Sequence, residues 1–198
     1  MRLGVYGGTF NPVHYGHLLA AEQCREQCRL DEVWFVPASV PPHKPHDAIA
    51  PGAQRAEMLE LATAGHPRFR VSRIELDRDG PSFTVDTLQQ IAGEEPAREL
   101  YLLVGGDMLA DLPTWREPAR ILELAEVLVV NRGRREPDPR IVTSSLGDHV
   151  ADRFQVVSMP GIDLSASDIR KRVQAGRSVR FMTPRAVEMY IHQHELYR

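Results

Sequence analysis

Leu3-Gly4-Val5-Tyr6-Gly7-Gly8-Thr9-Phe10-Asn11-Pro12-Val13-His14-Tyr15-Gly16-His17 is the stretch on which the fold turns. The run Leu3 to Tyr6 predicts a strand, and Tyr15 to Arg29 predicts a helix. Between them lie two glycines, whose missing side chains let a backbone approach a ligand closely. The helix that follows presents unsatisfied N–H groups and the positive end of its dipole to an anion. His14 and His17 are three apart, so both imidazoles can project from one face of the first turn and donate hydrogen bonds to phosphate oxygens. No Gly-Lys-Ser/Thr follows, which excludes a Walker A loop, and the spacing is not Gly-x-Gly-x-x-Gly. A glycine turn with two incidental surface histidines is the plainer reading of a His-x-x-His alone. The glycines and the strand-to-helix placement argue against it.

Outward from this unit, strands and helices alternate. Val33 to Pro37, Phe69 to Ile74, Leu100 to Val104, Val127 to Val130 and Phe154 to Val157 read as further strands. Gln54 to Ala64, Thr84 to Ala92, Ser167 to Ala175 and Pro184 to His194 read as helices, the last with Thr183 as N-cap and Pro184 in its first turn. Such alternation predicts an α/β protein: a Rossmann-like, doubly wound parallel sheet with helices on both faces. A small C-terminal helical region, about 164–198, completes a single domain over residues 1–198. Ligands of this architecture bind at the carboxyl ends of the strands. The proline-dense run from Pro37 to Pro51 and the polar run from Arg132 to His149 read as loops.

The chain balances 24 Lys and Arg against 27 Asp and Glu, a net charge of -3, so no basic field points to nucleic acid. No apolar run approaches the ~20 residues that span a bilayer, and the N-terminus leads directly into a strand, unlike a signal peptide. These features predict a cytoplasmic protein with neither nucleic-acid nor membrane partners, and a homo-oligomer is compatible with them. Cys24 and Cys28 sit four apart in the first helix, which suits two reduced thiols better than a disulfide.

Other segments carry chemistry more weakly. Leu164-Ser165-Ala166-Ser167-Asp168-Ile169-Arg170 reads as a helix start whose hydroxyls, N–H groups and Arg170 can bind phosphate, or as a plain Ser-capped helix. In Pro41-Pro42-His43-Lys44-Pro45, Lys44 is a cation for a ligand or a solvated loop charge. Gly80-Pro81-Ser82-Phe83-Thr84 is a turn entering a helix. Asp107, after a strand, can hold ribose hydroxyls or a metal, and Trp115 can stack on a flat ring. Both are equally compatible with capping and core filling.

The first segment resembles the His-x-Gly-His motif of the nucleotidyltransferase superfamily, which includes class I aminoacyl-tRNA synthetases. Leu164 to Arg170 resembles that superfamily's Ile-Ser-Ser-Thr-x-Ile-Arg motif, with Ala166 and Ser167 in place of the second Ser and the Thr. Asn11 stands where the family has Asp, keeping an acceptor and losing a charge. Taken with Lys44, Gly80 to Leu88, Gly105-Gly106-Asp107, Pro113-Thr114-Trp115 and the tail from Gly176 to Tyr197, the chain is similar to the bacterial nicotinate-nucleotide adenylyltransferases. The resemblance implies adenylyl transfer from ATP to nicotinate mononucleotide, giving nicotinate adenine dinucleotide (deamido-NAD) and pyrophosphate in NAD biosynthesis. Mg²⁺ is implied as cofactor, carried mainly by the ATP phosphates rather than by a protein metal site. It implies catalytic roles for His14, His17 and Arg170. Gly7, Gly8, Thr9, Phe10, Asp107, Ser165 and Ser167 are implied as further ATP contacts. Lys44, Thr84 and Trp115 are implied as contacts of the mononucleotide.

Among rivals, a phosphopantetheine adenylyltransferase is disfavoured by Trp115 and the Gly80 to Thr84 segment. With 198 residues there is no room for the anticodon-binding domain of a tRNA synthetase. A non-catalytic nucleotide sensor is disfavoured by the presence of both histidines and Arg170. A His and Cys metal-binding protein lacks ligands near the cysteines.

Overall fold

In the computed structural model the described residues are 1–39, 49–131, 137, 138 and 140–198. Their strands are β1 (Arg2–Gly8), β2 (Glu32–Pro37), β3 (Phe69–Val71), β4 (Glu99–Gly105), β5 (Ala125–Asn131) and β6 (Phe154–Ser158). They form one sheet in the order β3-β2-β1-β4-β5-β6, and every pairing is parallel. The helices are α1 (Tyr15–Gln27), α2 (Gly52–Thr63), α3 (Thr84–Glu94), α4 (Pro118–Leu124), α5 (Arg140–Leu146), α6 (Ala166–Gln174) and α7 (Arg185–Gln193). This is the doubly wound α/β fold that the alternation predicted. No helix among the described residues is long and apolar enough to cross a membrane.

Strand side chains alternate between two apolar layers, as the period of two demands. Tyr6, Val33, Phe35, Tyr101, Leu103, Leu128 and Val130 face one layer, covered by α1, α2 and α7. Leu3, Val5, Val36, Leu100, Leu102, Val104, Val127 and Val129 face the other, covered by α3, α4 and α5. Helix α3 illustrates how sequence selects a face: Val85, Leu88 and Ile91 recur three apart and are fully buried. Each contributes roughly 2 kcal/mol of burial.

Strands β1 and β4 pair only from Arg2–Val5 against Glu99–Leu102. Beyond that, Tyr6 to Gly8 pair with β2 alone, and Leu103 to Gly105 with β5 alone. The chain reverses its winding direction between β1 and β4, so their carboxyl ends diverge and leave a crevice there.

Three expectations are corrected. The strand at Phe69 ends at Val71, because the chain turns immediately, with Asp77 N–H donating to Arg73 C=O at 2.9 Å. Thr183 does not cap the last helix; its hydroxyl donates to Val13 C=O at 2.7 Å, and Pro184 takes the cap position. The polar run from 132 to 149 is not all loop: Arg140–Leu146 forms α5, with Val142 buried in the second layer. Three further elements were not anticipated: 3₁₀ segments at Gly106–Thr114 and Asp148–Arg153, and α4, which begins at Pro118 where a missing N–H costs nothing.

Candidate functional site

The turn after β1 is held by aromatic packing. Phe10 has a left-handed backbone, φ 47°, a strained conformation for a bulky residue. Its ring is buried edge-on against Tyr6 at 5.4 Å and His17 at 5.1 Å, which stabilises that backbone. The ring also folds back over the strand end, where a Cβ on Gly8 would lie 3.0 Å from it, so any side chain at position 8 would push the Phe10 ring out of place by a few tenths of an ångström. His14, extended and almost wholly buried, is the N-cap of α1. Its backbone N–H donates to Nδ1 of His17 at 3.2 Å. A neutral His17 ring whose Nδ1 accepts carries its proton on Nε2. The two imidazoles stack at 3.7 Å, 23° from parallel.

Facing them is the start of α6. Ser165 caps it, its hydroxyl oxygen accepting from the Asp168 N–H at 3.0 Å. Arg170 reaches back across the gap. Its Nη1 donates to Asn11 C=O at 2.8 Å and its Nη2 to the Ser167 hydroxyl at 3.2 Å. The predicted residues Thr9, Phe10, His14, His17, Ser165, Ser167 and Arg170 thus line one cavity of about 260 Å³. Gly7 and Gly8 end β1 behind it. A second cavity, about 600 Å³, opens beyond β4 and β5 and shares Leu164 and Ser165 with the first. Asp107 lines it, with Gly106, Asn131, Asp138 and Asp163. One end of the cleft therefore offers ring N–H groups, hydroxyls and a guanidinium, and the other offers carboxylates. The first suits a polyanion; the second suits groups that donate hydrogen bonds, such as sugar hydroxyls.

Thr84 and Trp115 line neither cavity. Thr84 opens α3, and half-buried Trp115 follows the 3₁₀ segment. Arg116 joins the two places, 4.8 Å over the Phe83 ring and 3.5 Å from the Asp86 carboxylate. Lys44 lies outside the described residues.

Three buried polar residues stand behind the site; sequence reading missed Arg55 and Glu75 and marked Asn11 only for its lost charge. Arg55 in α2 is 1% exposed. Its Nε donates to Ala50 C=O at 2.8 Å, its Nη1 to Thr9 C=O at 2.8 Å and its Nη2 to Ala38 C=O at 2.6 Å. Burial pulls its pKa down, opposed by the negative charge of Glu75. Glu75 is itself buried, and burial pushes its carboxyl up against hydrogen bonds from Thr87, at 2.6 Å, and Ser82. The Ser82 hydroxyl oxygen also accepts from Ser39 N–H at 2.8 Å. Asn11 is the third: Oδ1 accepts from Ala50 N–H at 3.1 Å and from the Tyr197 hydroxyl at 2.7 Å. A signal for Arg55 did exist, since it shares the buried stripe of Leu59 and Thr63 at a spacing of four.

Comparison with known proteins gives a concordant picture. Residues 5–172 match the cytidylyltransferase-like family. The chain is 46% identical over 197 residues to a Thermomicrobium roseum protein named "Probable nicotinate-nucleotide adenylyltransferase", covering all of this chain and 92% of that one. It is 46% identical to a Thermus thermophilus protein of the same name, with both chains fully covered. The Plasmodium falciparum nicotinic acid mononucleotide adenylyltransferase complexed with NaAD superposes with a TM-score of 0.83 over 99% of this chain and 97% of that one, at 18% identity, a likeness of fold.

Proposed function

Because the chain belongs to the cytidylyltransferase-like family and, within it, to the nicotinate-nucleotide adenylyltransferases, we propose that it transfers the adenylyl group of ATP to nicotinate mononucleotide. The products are nicotinate adenine dinucleotide and pyrophosphate. One observation carries this reading: two stacked histidines and a hydroxyl-plus-arginine helix start face each other across a single cavity at the β1 turn.

The 5′-phosphate of the mononucleotide is already a nucleophile, so no covalent intermediate with the enzyme is needed. The difficulty is that two polyanions must meet in line, and the remedy is positioning and charge neutralisation. The Nε2–H of His17 donates to the α-phosphate, where negative charge builds. His14 supports it from the same wall. Arg170, Ser165 and Ser167 hold the β- and γ-phosphates as they leave. Asp107 accepts from the ATP ribose in the second cavity, and Gly7 to Phe10 pass between the substrates. Lys44 binds the mononucleotide phosphate, Trp115 stacks on the pyridine, and Thr84 with the N–H groups of α3 holds the carboxylate. Arg116 bridges the Trp115 flank and the start of α3 through the Phe83 ring and the Asp86 carboxylate.

Magnesium arrives on the triphosphate in this reading. The cavity supplies hydrogen-bond donors and one guanidinium, a donor set that fits a metal-bearing nucleotide whose remaining charge is negative. The metal, when bound, supplies further neutralisation of the triphosphate. We read residues 1–198 as one domain acting in the cytoplasm, with the helical part from about 164 closing the phosphate side.

Pyrophosphate release from ATP, measured with nicotinate mononucleotide, nicotinamide mononucleotide and phosphopantetheine in parallel, tests the assignment. Fastest release with the nicotinate form is expected. Release with phosphopantetheine alone would overturn it.

A further inference from the structure

The phosphate-binding turn is held from outside by the end of the chain. Three hydrogen bonds make the attachment. The Thr183 hydroxyl donates to Val13 C=O at 2.7 Å, the Tyr15 N–H donates to Met182 C=O at 3.2 Å, and the Tyr197 hydroxyl donates to Asn11 Oδ1 at 2.7 Å. The last has a special place. Asn11 is 4% exposed, its side chain turned inward to Tyr197 and Ala50, and its backbone C=O receives Arg170 Nη1 at 2.8 Å. Side chain and carbonyl belong to one residue, so fixing the first orients the second.

We propose that Tyr197 is a positioning residue, which through Asn11 sets the orientation of Arg170 and so the grip of the site on the departing pyrophosphate. The inference rests on the nucleotidyltransferase reading of the cavity. It is indifferent to which mononucleotide is the acceptor.

Several observations favour it over simple packing. The Tyr197 ring packs against the first apolar layer, and that packing does not require the hydroxyl. The hydroxyl donates to the side chain of Asn11, which lines the cavity between the histidines and Arg170. Arg170 and Tyr197 border the same small cavity, about 270 Å³, with Ile49 and Ala50. Burial holds the Tyr197 pKa far above its ordinary value, with the Arg170 and Arg55 charges acting against that rise. The hydroxyl is thus a donor throughout the working pH range. The geometry also gives Asn11 a purpose: its Oδ1 takes two hydrogen bonds, Ala50 N–H and Tyr197 O–H, with no charge to bury.

Tyr197→Phe removes a single oxygen and keeps the ring. Three quantities should be measured on the full chain: kcat, the inhibition constant of inorganic pyrophosphate, and that of AMP. The expected result is a kcat about three- to tenfold lower, the range that loss of one buried hydrogen bond reaches, with pyrophosphate inhibition weakened by a similar factor and AMP inhibition unchanged. Tyr197→Leu, which also removes the ring, should lower the melting temperature further yet weaken pyrophosphate no more than Tyr197→Phe does. Equal weakening of AMP and pyrophosphate, or no change in either, would overturn the proposal. Failure of the wild type to release pyrophosphate from ATP with any acceptor would instead sink the reading of the site beneath it.

Discussion

The two walls of the cleft are built differently. The β1 wall is made of buried, closely packed devices. Phe10 folds over Gly8, His14 caps α1 and fixes His17, and Arg55 binds three separate backbone carbonyls from behind. The β4–β5 wall is made of a 3₁₀ segment and the short helices α4 and α5, whose polar residues pair mainly at the surface, as Arg116 does with Asp86 and Arg140 with Asp138. Exposed pairs of that kind hold little, about 0–1 kcal/mol. A wall that must stabilise transition-state charge is preorganised, whereas one that must admit and release a flat ring and a sugar need not be.

The sharpest way to break this contrast is Arg55→Ala. It leaves the carbonyls of Thr9, Ala38 and Ala50 without this donor and opens a hole beside Glu75. Loss of about 3–5 kcal/mol of stability is expected, read by urea unfolding. Arg55→Lys should recover less than half of it, since one ammonium cannot reproduce the fork. An alanine variant as stable as wild type would show that the β1 wall does not depend on its buried frame.

Next in size is His17→Ala. Its side chain contributes a donor already aimed by the His14 N–H, and a preorganised donor to transition-state charge is worth roughly 3 kcal/mol, about two orders of magnitude in kcat. Turnover above half of wild type in a folded variant would remove His17 from the chemistry.

On the other wall the effects should be smaller and fall on binding. Trp115→Ala is expected to raise KM for both pyridine mononucleotides about tenfold and leave KM for ATP unchanged. Thr84→Ala should shrink the preference for nicotinate over nicotinamide, because an amide NH₂ facing site donors costs roughly 1–3 kcal/mol. If Trp115→Ala moved kcat as strongly as His17→Ala does, the division of labour between the walls would fail.

How far sequence could see follows the same division. The β1 wall was legible because its function is encoded locally: glycines, two histidines and a helix start lie within eleven consecutive residues, Gly7 to His17. The apolar runs placed all six strands; burial on both faces makes the four inner ones short apolar blocks, while the edge strands β3 and β6 are only partly buried. Burial of Arg55 was hinted at by its place in the stripe of Leu59 and Thr63, but its role was not legible, because its partners are backbone carbonyls 46, 17 and 5 positions away, and carbonyls leave no mark on sequence. Thr183 misled for a related reason: a hydroxyl before a proline fits a helix cap, but Val13, 170 residues distant, claims it. On the second wall the polarity of residues 132–149 hid α5, a helix that buries only Val142 and Thr143.

The smallest effect belongs to the cysteines, and it tests whether the β1 wall is as local as it looks. Cys24 lies within α1 two turns beyond His17, and Cys28 caps that helix; both are buried, free thiols. If the site depends on the cap and the turn rather than on the helix as a whole, Cys24→Ala with Cys28→Ala should cost about 1 kcal/mol of packing each and leave kcat within twofold. A pH series separates the two roles further. Burial is the main cause that raises both thiols above their ordinary pKa; the neighbouring Cys28 adds to the rise at Cys24, and Glu126 adds at Cys28 while Arg2 opposes it. The folded protein therefore keeps protons that the unfolded chain releases above about pH 8.5. A group raised in this way contributes its full stability below the unfolded pKa and loses it as pH climbs toward the folded one. Wild-type stability should thus decline above pH 8.5, by up to about 1.4 kcal/mol per pH unit from Cys24, and the double alanine variant should decline less steeply. Parallel decline of the two proteins would show that the thiols already ionise in the folded state. A large fall in kcat for the folded double variant would show that the histidines are held by the packing of all of α1, and not by its first turn.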